Sequence, residues 1–182
     1  MKFDPYILYE PVRLTSSIVF ATPHSGRDYS QAFLDSTILD DHQIRASEDA
    51  FVDQLFQSVT IVGAPLLAAL VPRAFVDLNR SCEELDPALV EDVRSVRSSA
   101  RVTSGLGVIP RLVAVGRPIY QGKISLVEAQ VRLKEVWYPY HQRLQALLDA
   151  TRTKFGHVVL IDCHSMPHEA VNPGLRSKTS PE

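Results

Sequence analysis

The sequence predicts an α/β fold, a mixed and mainly parallel sheet flanked by helices, on three observations. Of two short apolar runs, Ile18 to Ala21 reads as a buried strand that delivers a polar loop, and Val158 to Ile161 as a strand that runs into another. A long stretch from Ser125 to Gly156 carries one apolar stripe at helical spacing. Strand and helix patterns alternate over most of the chain, as they do where helices pack on the faces of a sheet.

The elements follow in order. The segment through Pro11 is rich in turn formers and aromatics, and prolines there and at Pro23 stop the adjoining runs from extending as regular central strands. The first strand candidate ends in Pro23, His24, Ser25 and Gly26, a loop signal. In SEDAFVDQLFQSV the residues Phe51, Val52, Leu55, Phe56 and Val59 fall on one helix face. Ser47 suits the N-cap of that helix, which sets Glu48 and Asp49 in the first turn, where carboxylates are favoured. The run APLLAALVPR reads as a short helix stopped by Pro72, and AFVDLNR has strand character. Residues 81 to 117 are dense in turn signals and form an excursion that carries loops. Ser125 and Glu128 then have capping-box spacing, Leu126, Ala129, Leu133, Val136 or Trp137, Tyr140, Leu144 and Leu147 hold the stripe, and Gly156 closes the helix. Pro139 inside that pattern kinks or divides it. The last strand candidate runs into Asp162, Cys163, His164 and Ser165.

With 182 residues, 45% of them apolar and 22% charged, the chain reads as one domain over 1–182 that buries roughly 70% of its unfolded surface. Lys plus Arg number 19 against 21 Asp plus Glu, a formal net charge of -2, so no nucleic-acid partner is expected. No secretory leader and no apolar run of about 20 residues is present, so no membrane partner is expected either. The two cysteines, Cys82 and Cys163, lie far apart and form no disulfide framework. A reducing, cytoplasmic setting is the expectation.

His24 and His164 each follow an apolar strand candidate. Ligands gather at the carboxyl ends of parallel strands, so two such histidines can meet although they are distant in sequence. Catalytic zinc sites commonly pair two imidazoles with one carboxylate and keep a position for water. Asp49 is the best third ligand and Glu48 its immediate alternative. Such a site polarises a carbonyl and acidifies a water, the chemistry of amide or ester hydrolysis, with a carboxylate passing the proton to the leaving nitrogen. Asp162, two residues before His164, shares its strand face and could orient an imidazole. Arg80 can clamp a substrate carboxylate with its planar fork or instead pair with Asp77, and Asn79 can position the same loop.

Other candidates carry less. His141 in WYPYHQ reads as structural. Gly105 and Gly107 open no helix of phosphate-binding type. Ser25 and Ser165 lie outside any G-x-S-x-G setting, which leaves them as hydrogen-bonding loop residues. Cys163, next to His164 on a strand, points away from it.

The ordered set PHSG at 23–26, DAFVD at 49–53, FVDLNR at 75–80, TSGLGVIP at 103–110, RPIYQGKIS around Tyr120, WYPYH at 137–141 and DCHSM at 162–166 resembles the N-formylglutamate amidohydrolase family. The resemblance spans residues 18 to 167 in order. It implies a phosphorylase/hydrolase-like fold similar to zinc-dependent exopeptidases, and hydrolysis of N-formyl-L-glutamate to formate and L-glutamate. It makes His24, Asp49 and His164 the zinc ligands and selects Asp49 over Glu48. It sets Asn79 and Arg80 in the substrate pocket with Tyr120, and places His141 in the surroundings.

Members of that family continue for many tens of residues beyond the DCHSM-like strand, towards a late glutamate suspected of acid/base work. The chain is therefore expected to be a fragment or a shortened relative, and no match makes Glu169 the replacement base. A peptide or cell-wall amidase is the nearest alternative function. A non-catalytic metal- or small-molecule-binding module is the alternative outside the enzymes.

Overall fold

The computed structural model describes residues 4–93 and 99–166. Its centre is a four-stranded sheet built from β1 (Tyr6–Tyr9), β2 (Ile18–Thr22), β3 (Leu66–Ala69) and β6 (Val159–Asp162), in the order β1-β3-β2-β6. β2 is parallel to both β3 and β6, whereas β1 runs antiparallel to β3 at the edge. The expected mixed, mainly parallel sheet flanked by helices is the fold observed. Between these strands lie α1 (Gln31–Ser36), α2 (Val52–Phe56), α3 (Ala100–Thr103), α4 (Leu126–Arg132) and α5 (Tyr138–Phe155), with a small antiparallel pair β4 (Leu112–Val113) and β5 (Arg117–Pro118) in the excursion.

The long helical pattern holds and its interruption has a local cause. Ser125 caps α4, its side chain accepting from the Glu128 backbone N–H at 3.1 Å. Glu128 does not reach back to complete the box; its carboxylate pairs with Arg132 instead. Pro139 lacks an N–H and its ring crowds the preceding turn. The helix widens into a π turn over Leu133–Trp137, where the Tyr138 N–H reaches the Leu133 carbonyl. α5 then runs on to Gly156, whose φ of 78° provides the left-handed stop. The stripe Ala129, Leu133, Val136, Tyr140 and Leu147 packs on Val19, Leu67 and Ala69 in the main core. α2 and the 3-10 turn Gln57–Thr60 cover the other face at β2 and β3.

Three local readings are corrected. APLLAALVPR contains no helix: Leu66–Ala69 is β3, buried throughout. A strand hydrogen-bonded on both edges and covered on both faces has no polar side, so the alternation that marks a strand vanishes, and Leu and Ala then mimic a helix. AFVDLNR is a buried turn rather than a strand, with Phe75 and Val76 N–H groups closing on the Pro72 carbonyl at 2.9 and 3.3 Å. Ser47 caps nothing; it ends a 3-10 turn over Ile44–Ser47, and α2 starts only at Val52, behind Phe51 with a φ of 64°. Glu48 and Asp49 therefore sit in a loop before α2, and Phe51 and Leu55 are exposed rather than on a buried face.

β6 forms the other edge, and Val159, Leu160 and Ile161 are exposed there. Among the described residues no helix is long and apolar enough to cross a membrane.

The loop that leaves β2 lies hard against the chain that leaves β3. A Cβ on Gly26 would stand 2.0 Å from the Val71 carbonyl oxygen, and the Asp28 N–H bonds to the Leu70 carbonyl at 2.9 Å. Gly26→Ala must push these backbones apart, so it is expected to cost about 3 kcal/mol of unfolding free energy. Urea titration checks this, and a loss under about 0.5 kcal/mol, as for an ordinary surface change, would show that the close approach is not real.

Candidate metal centre

The site follows from the sheet. β2 and β6 are adjacent and parallel, with Ala21 opposite Asp162, so the residues just past their carboxyl ends emerge side by side. His24 and His164 each lie two positions beyond their strand, and their ring centroids are 4.8 Å apart, about one strand spacing. Asp49 comes from the loop before α2. Its backbone N–H donates to the His24 carbonyl at 3.0 Å, which ties the two loops together. The left-handed Phe51 turns the chain immediately afterwards, and Arg27 holds that turn with a fork on Asp53 at 2.9 Å and a cation–π contact to the Phe51 ring.

Hydrogen bonds decide which imidazole nitrogens face inward. His24 Nε2 lies 2.7 Å from Asp77 Oδ1, and His164 Nε2 lies 3.1 Å from Asp162 Oδ2. Each carboxylate is placed to accept the Nε2–H of its ring, so that with an ion bound each Nδ1 would present its lone pair. Both Nδ1 atoms face Asp49 Oδ2, at 3.5 Å for His24 and 2.9 Å for His164. Ser165 Oγ donates to the other oxygen, Oδ1, at 3.0 Å. Three potential donor atoms thus converge on one point. A proton can serve one nitrogen–oxygen pair at a time, whereas a metal ion serves all three atoms.

The dimensions fit such an ion. One donor atom from each of His24, Asp49 and His164 lies within 4.8 Å of the other two. Tetrahedral zinc with bonds near 2.0–2.1 Å separates its ligands by about 3.4 Å, so closing this triad on an ion needs only small side-chain shifts. Two nitrogens and one oxygen also leave a fourth position open for water or substrate.

Burial would raise the Asp49 carboxyl, yet hydrogen bonds from His24, His164 and Ser165, with the His24 charge, hold it down at about 2. Asp77 behaves alike: burial opposes ionisation, but the His24 bond and the charges of His24, Arg73 and Arg80 hold it at about 2. Burial also works to lower His24, and its bonds to Asp49 and Asp77 outweigh that and raise it. The centre is built to keep two carboxylates charged and to hold positive charge between them.

Asp77 is the residue that sequence reasoning undervalued, naming it only as an ion-pair partner of Arg80. It is 1% exposed, and its carboxylate accepts from His24 Nε2, from the Asn79 N–H at 3.0 Å and from Arg73 Nε at 3.0 Å. The sequence signal was the acidic residue at the head of DLNR, hidden because the segment reads as a strand. Ser165, read only as a loop hydrogen-bonding residue, acts directly on Asp49.

The other candidates separate. Asn79 reaches the centre, its amide 3.3 Å from His164 Nε2. Arg80 is turned aside: Nε donates to the Leu106 carbonyl at 3.2 Å, a terminal nitrogen to the Asn79 carbonyl at 2.7 Å, and Asp77 lies 3.8 Å away. Tyr120 is placed in the second core cluster, its hydroxyl 2.6 Å from Arg132 and its ring against Phe33, and it does not line the cavity beside the triad. Glu48 accepts from the Tyr29 hydroxyl at 2.7 Å and from Arg45 at 3.2 Å, which leaves Asp49 as the candidate ligand. His141 supports the DLNR turn, Nε2 being 3.0 Å from the Leu78 carbonyl with the ring on Trp137. Ser25 donates back to Thr22. Cys163 is buried with its thiol pushed up to about 11 by burial and by Asp162. Gly107 packs against the Glu84 carbonyl and Gly105 makes a left-handed turn against Leu112, so neither cradles a phosphate. Glu169 lies outside the described residues.

A cavity of about 520 Å³ opens beside the triad, with Glu48, Asp49, Arg73, Asp77, Ser165 and Met166 in its wall.

Known proteins resemble the chain over most of its length. The model of the N-formylglutamate amidohydrolase family matches residues 16–182. The N-formylglutamate deformylases of Pseudomonas aeruginosa and Pseudomonas putida are 28% and 27% identical over 151 residues, 82% of this chain and 52% and 51% of theirs. The chain spans about half the length of these curated relatives. A crystal structure of N-formylglutamate amidohydrolase from Ralstonia eutropha superposes with a TM-score of 0.86 at 31% identity, covering 98% of this chain and 64% of that one. A gene product of Agrobacterium tumefaciens shares the fold, with a TM-score of 0.64 at 16% identity over 91% of this chain and 57% of its own.

Proposed function

The chain belongs to the N-formylglutamate amidohydrolase family, and from that premise we propose that it hydrolyses the amide bond of an N-acyl amino acid. The observation that supports this most is the convergence of His24, Asp49 and His164 beside a cavity of amino-acid size. The relatives are named N-formylglutamate deformylase, and N-formyl-L-glutamate is therefore the substrate we assign, with formate and L-glutamate as the products. Zinc is the ion we assign, because two imidazoles, one carboxylate and an open position are its common catalytic set.

A bound zinc ion would supply polarisation of the acyl oxygen and a water acidified to near neutral pH. The residues of the chain do the rest. Asp77 and Asp162 hold the two imidazoles by their Nε2–H groups, so both rings present Nδ1 without searching rotamers. Ser165 occupies Asp49 Oδ1 and leaves Oδ2 for the ion. The buried side of the site, with His24 3% and Asp49 7% exposed, strengthens every charge interaction made there. We place the reaction in a reducing compartment, in keeping with two free cysteines.

One observation favours a second reading, a metal-binding module without turnover. Each carboxylate of the cavity is committed among the described residues: Glu48 to Tyr29 and Arg45, Asp49 to the triad, Asp77 to His24 and Arg73. None is free to carry the proton to the leaving nitrogen.

Metal analysis paired with a formate assay separates the readings. Hydrolysis predicts one zinc per chain, formate release from N-formyl-L-glutamate, and loss of that release on chelation with recovery on adding zinc. Zinc-replete protein that releases nothing from N-acylated glutamate, aspartate or short peptides would leave only the binding module. Turnover confined to the peptides would point to a peptidase-type amidase.

A further inference from the structure

The proposed substrate is an acid, yet the cavity beside the triad carries the carboxylates of Glu48, Asp49 and Asp77. Among its described lining residues the one basic side chain is Arg73. Arg73 donates from Nε to Asp77 Oδ2 at 3.0 Å, and its two terminal nitrogens have no hydrogen-bond partner among the described residues. A guanidinium held by Nε on one edge still offers its terminal N–H groups as a parallel pair, the geometry that fits a carboxylate. Arg73 is 24% exposed, enough to be reached from the cavity. Asp77 grips His24 with its other oxygen, so only one carboxylate separates the guanidinium from a ligand of the triad.

Arg80, the residue that motif reasoning favours for this task, is occupied. Its Nε and one terminal nitrogen are spent on the carbonyls of Leu106 and Asn79, it is 11% exposed, and it does not line the cavity. Its place is to brace the DLNR turn.

We infer that Arg73 is the side chain that receives a carboxylate of the N-acyl amino acid, an assignment that rests on the hydrolase reading above. It also explains why a cavity rich in acidic groups can admit an acidic substrate. Asp77 then serves two masters, orienting the imidazole of His24 and the fork of Arg73, and sets the distance between the reacting acyl group and the recognised acid.

Kinetics on the zinc-loaded enzyme test this with N-formyl-L-glutamate and its α- and γ-monoamides. The wild type is expected to prefer the diacid over one of the two monoamides. Arg73→Met raises KM for the diacid by about 10- to 100-fold, with kcat changed less than about threefold, and erases that preference. Arg73→Lys keeps the charge beside Asp77 but loses the fork, so it folds as the wild type does and recovers only part of the preference. Arg80→Met keeps the preference. Zinc content and circular dichroism confirm that each variant is folded and loaded.

A wild-type preference that survives in both Arg73 variants overturns the inference, as does its loss in Arg80→Met alone. Should the wild type turn over none of the compounds, the hydrolase reading fails, and binding heats of the same three compounds decide the carboxylate site by themselves. Discrimination that Arg73→Met abolishes supports it, and acid and amides bound alike by the wild type overturn it.

Discussion

Replacing His24 by alanine is expected to lower zinc affinity by at least about a thousandfold and to reduce hydrolysis to background. His24 contributes one of three protein donor atoms, and two remaining ligands from separate loops cannot hold the ion against solvent. The same loss is expected for Asp49→Ala, which also strips His164 and Ser165 of their common partner. Chelator competition gives the affinity and formate release gives the activity. A third measurement reports on the folded state: zinc should raise the melting temperature of the wild type and leave both variants unmoved, because an ion stabilises only the form that binds it. His24→Ala protein that keeps wild-type zinc content and a zinc-dependent melting shift would remove the triad from consideration.

Asp77→Ala is expected to destabilise the protein by about 3–5 kcal/mol, more than any other single side-chain deletion at the site. The deleted carboxylate is 1% exposed and is shared by His24, Arg73 and the Asn79 N–H, so its removal strands a buried cation and two donors together. Asp77→Asn keeps the shape and can still accept from His24, so it should cost less in stability. It loses the charge that makes the imidazole a good ligand, and zinc affinity should fall by about 10- to 100-fold. The two variants thus divide folding from metal tuning. Denaturant unfolding and zinc competition read them separately, and an Asp77→Asn protein with unaltered zinc affinity would leave Asp77 a purely structural residue.

The acid limb of stability carries the same signature. The Asp77 carboxyl is depressed to about 2 in the folded chain, so its stabilisation is present above the unfolded value near 3.9 and is lost as pH falls towards 2. Asp77→Asn should flatten that limb.

How much of this is written locally is clear from particular residues. The strands before His24 and His164 are apolar runs that end abruptly in polar loops, and both appear where the pattern puts them. The helix from Ser125 to Gly156 is equally explicit, with its cap, its stripe, its proline and its glycine stop all local in origin. β3 carries no strand signature in sequence because complete burial removes the polar face that distinguishes a strand. The DLNR turn reads as a strand because its apolar residues are buried on two sides, Val76 and Leu78 in the main core and Ala74 and Phe75 in the cluster around Phe33, while its backbone closes on the Pro72 carbonyl. Ser47 had every attribute of an N-cap, but the helix it would have started gives way to a loop whose Asp49 N–H is claimed by His24.

The sequence by itself determined the α/β class, the long helix and the two histidine-bearing strand ends, because hydrophobic period, caps and breakers act over a few residues. It also held the triad as a list of names. Only the tertiary structure decided that β2 and β6 are neighbours, that Asp77 clamps His24, and that Arg73 rather than Arg80 faces the cavity. Those facts depend on which backbone carbonyls and carboxylates each side chain meets across the fold. Such partners are set by the packing of distant segments, and no spacing along the chain records them.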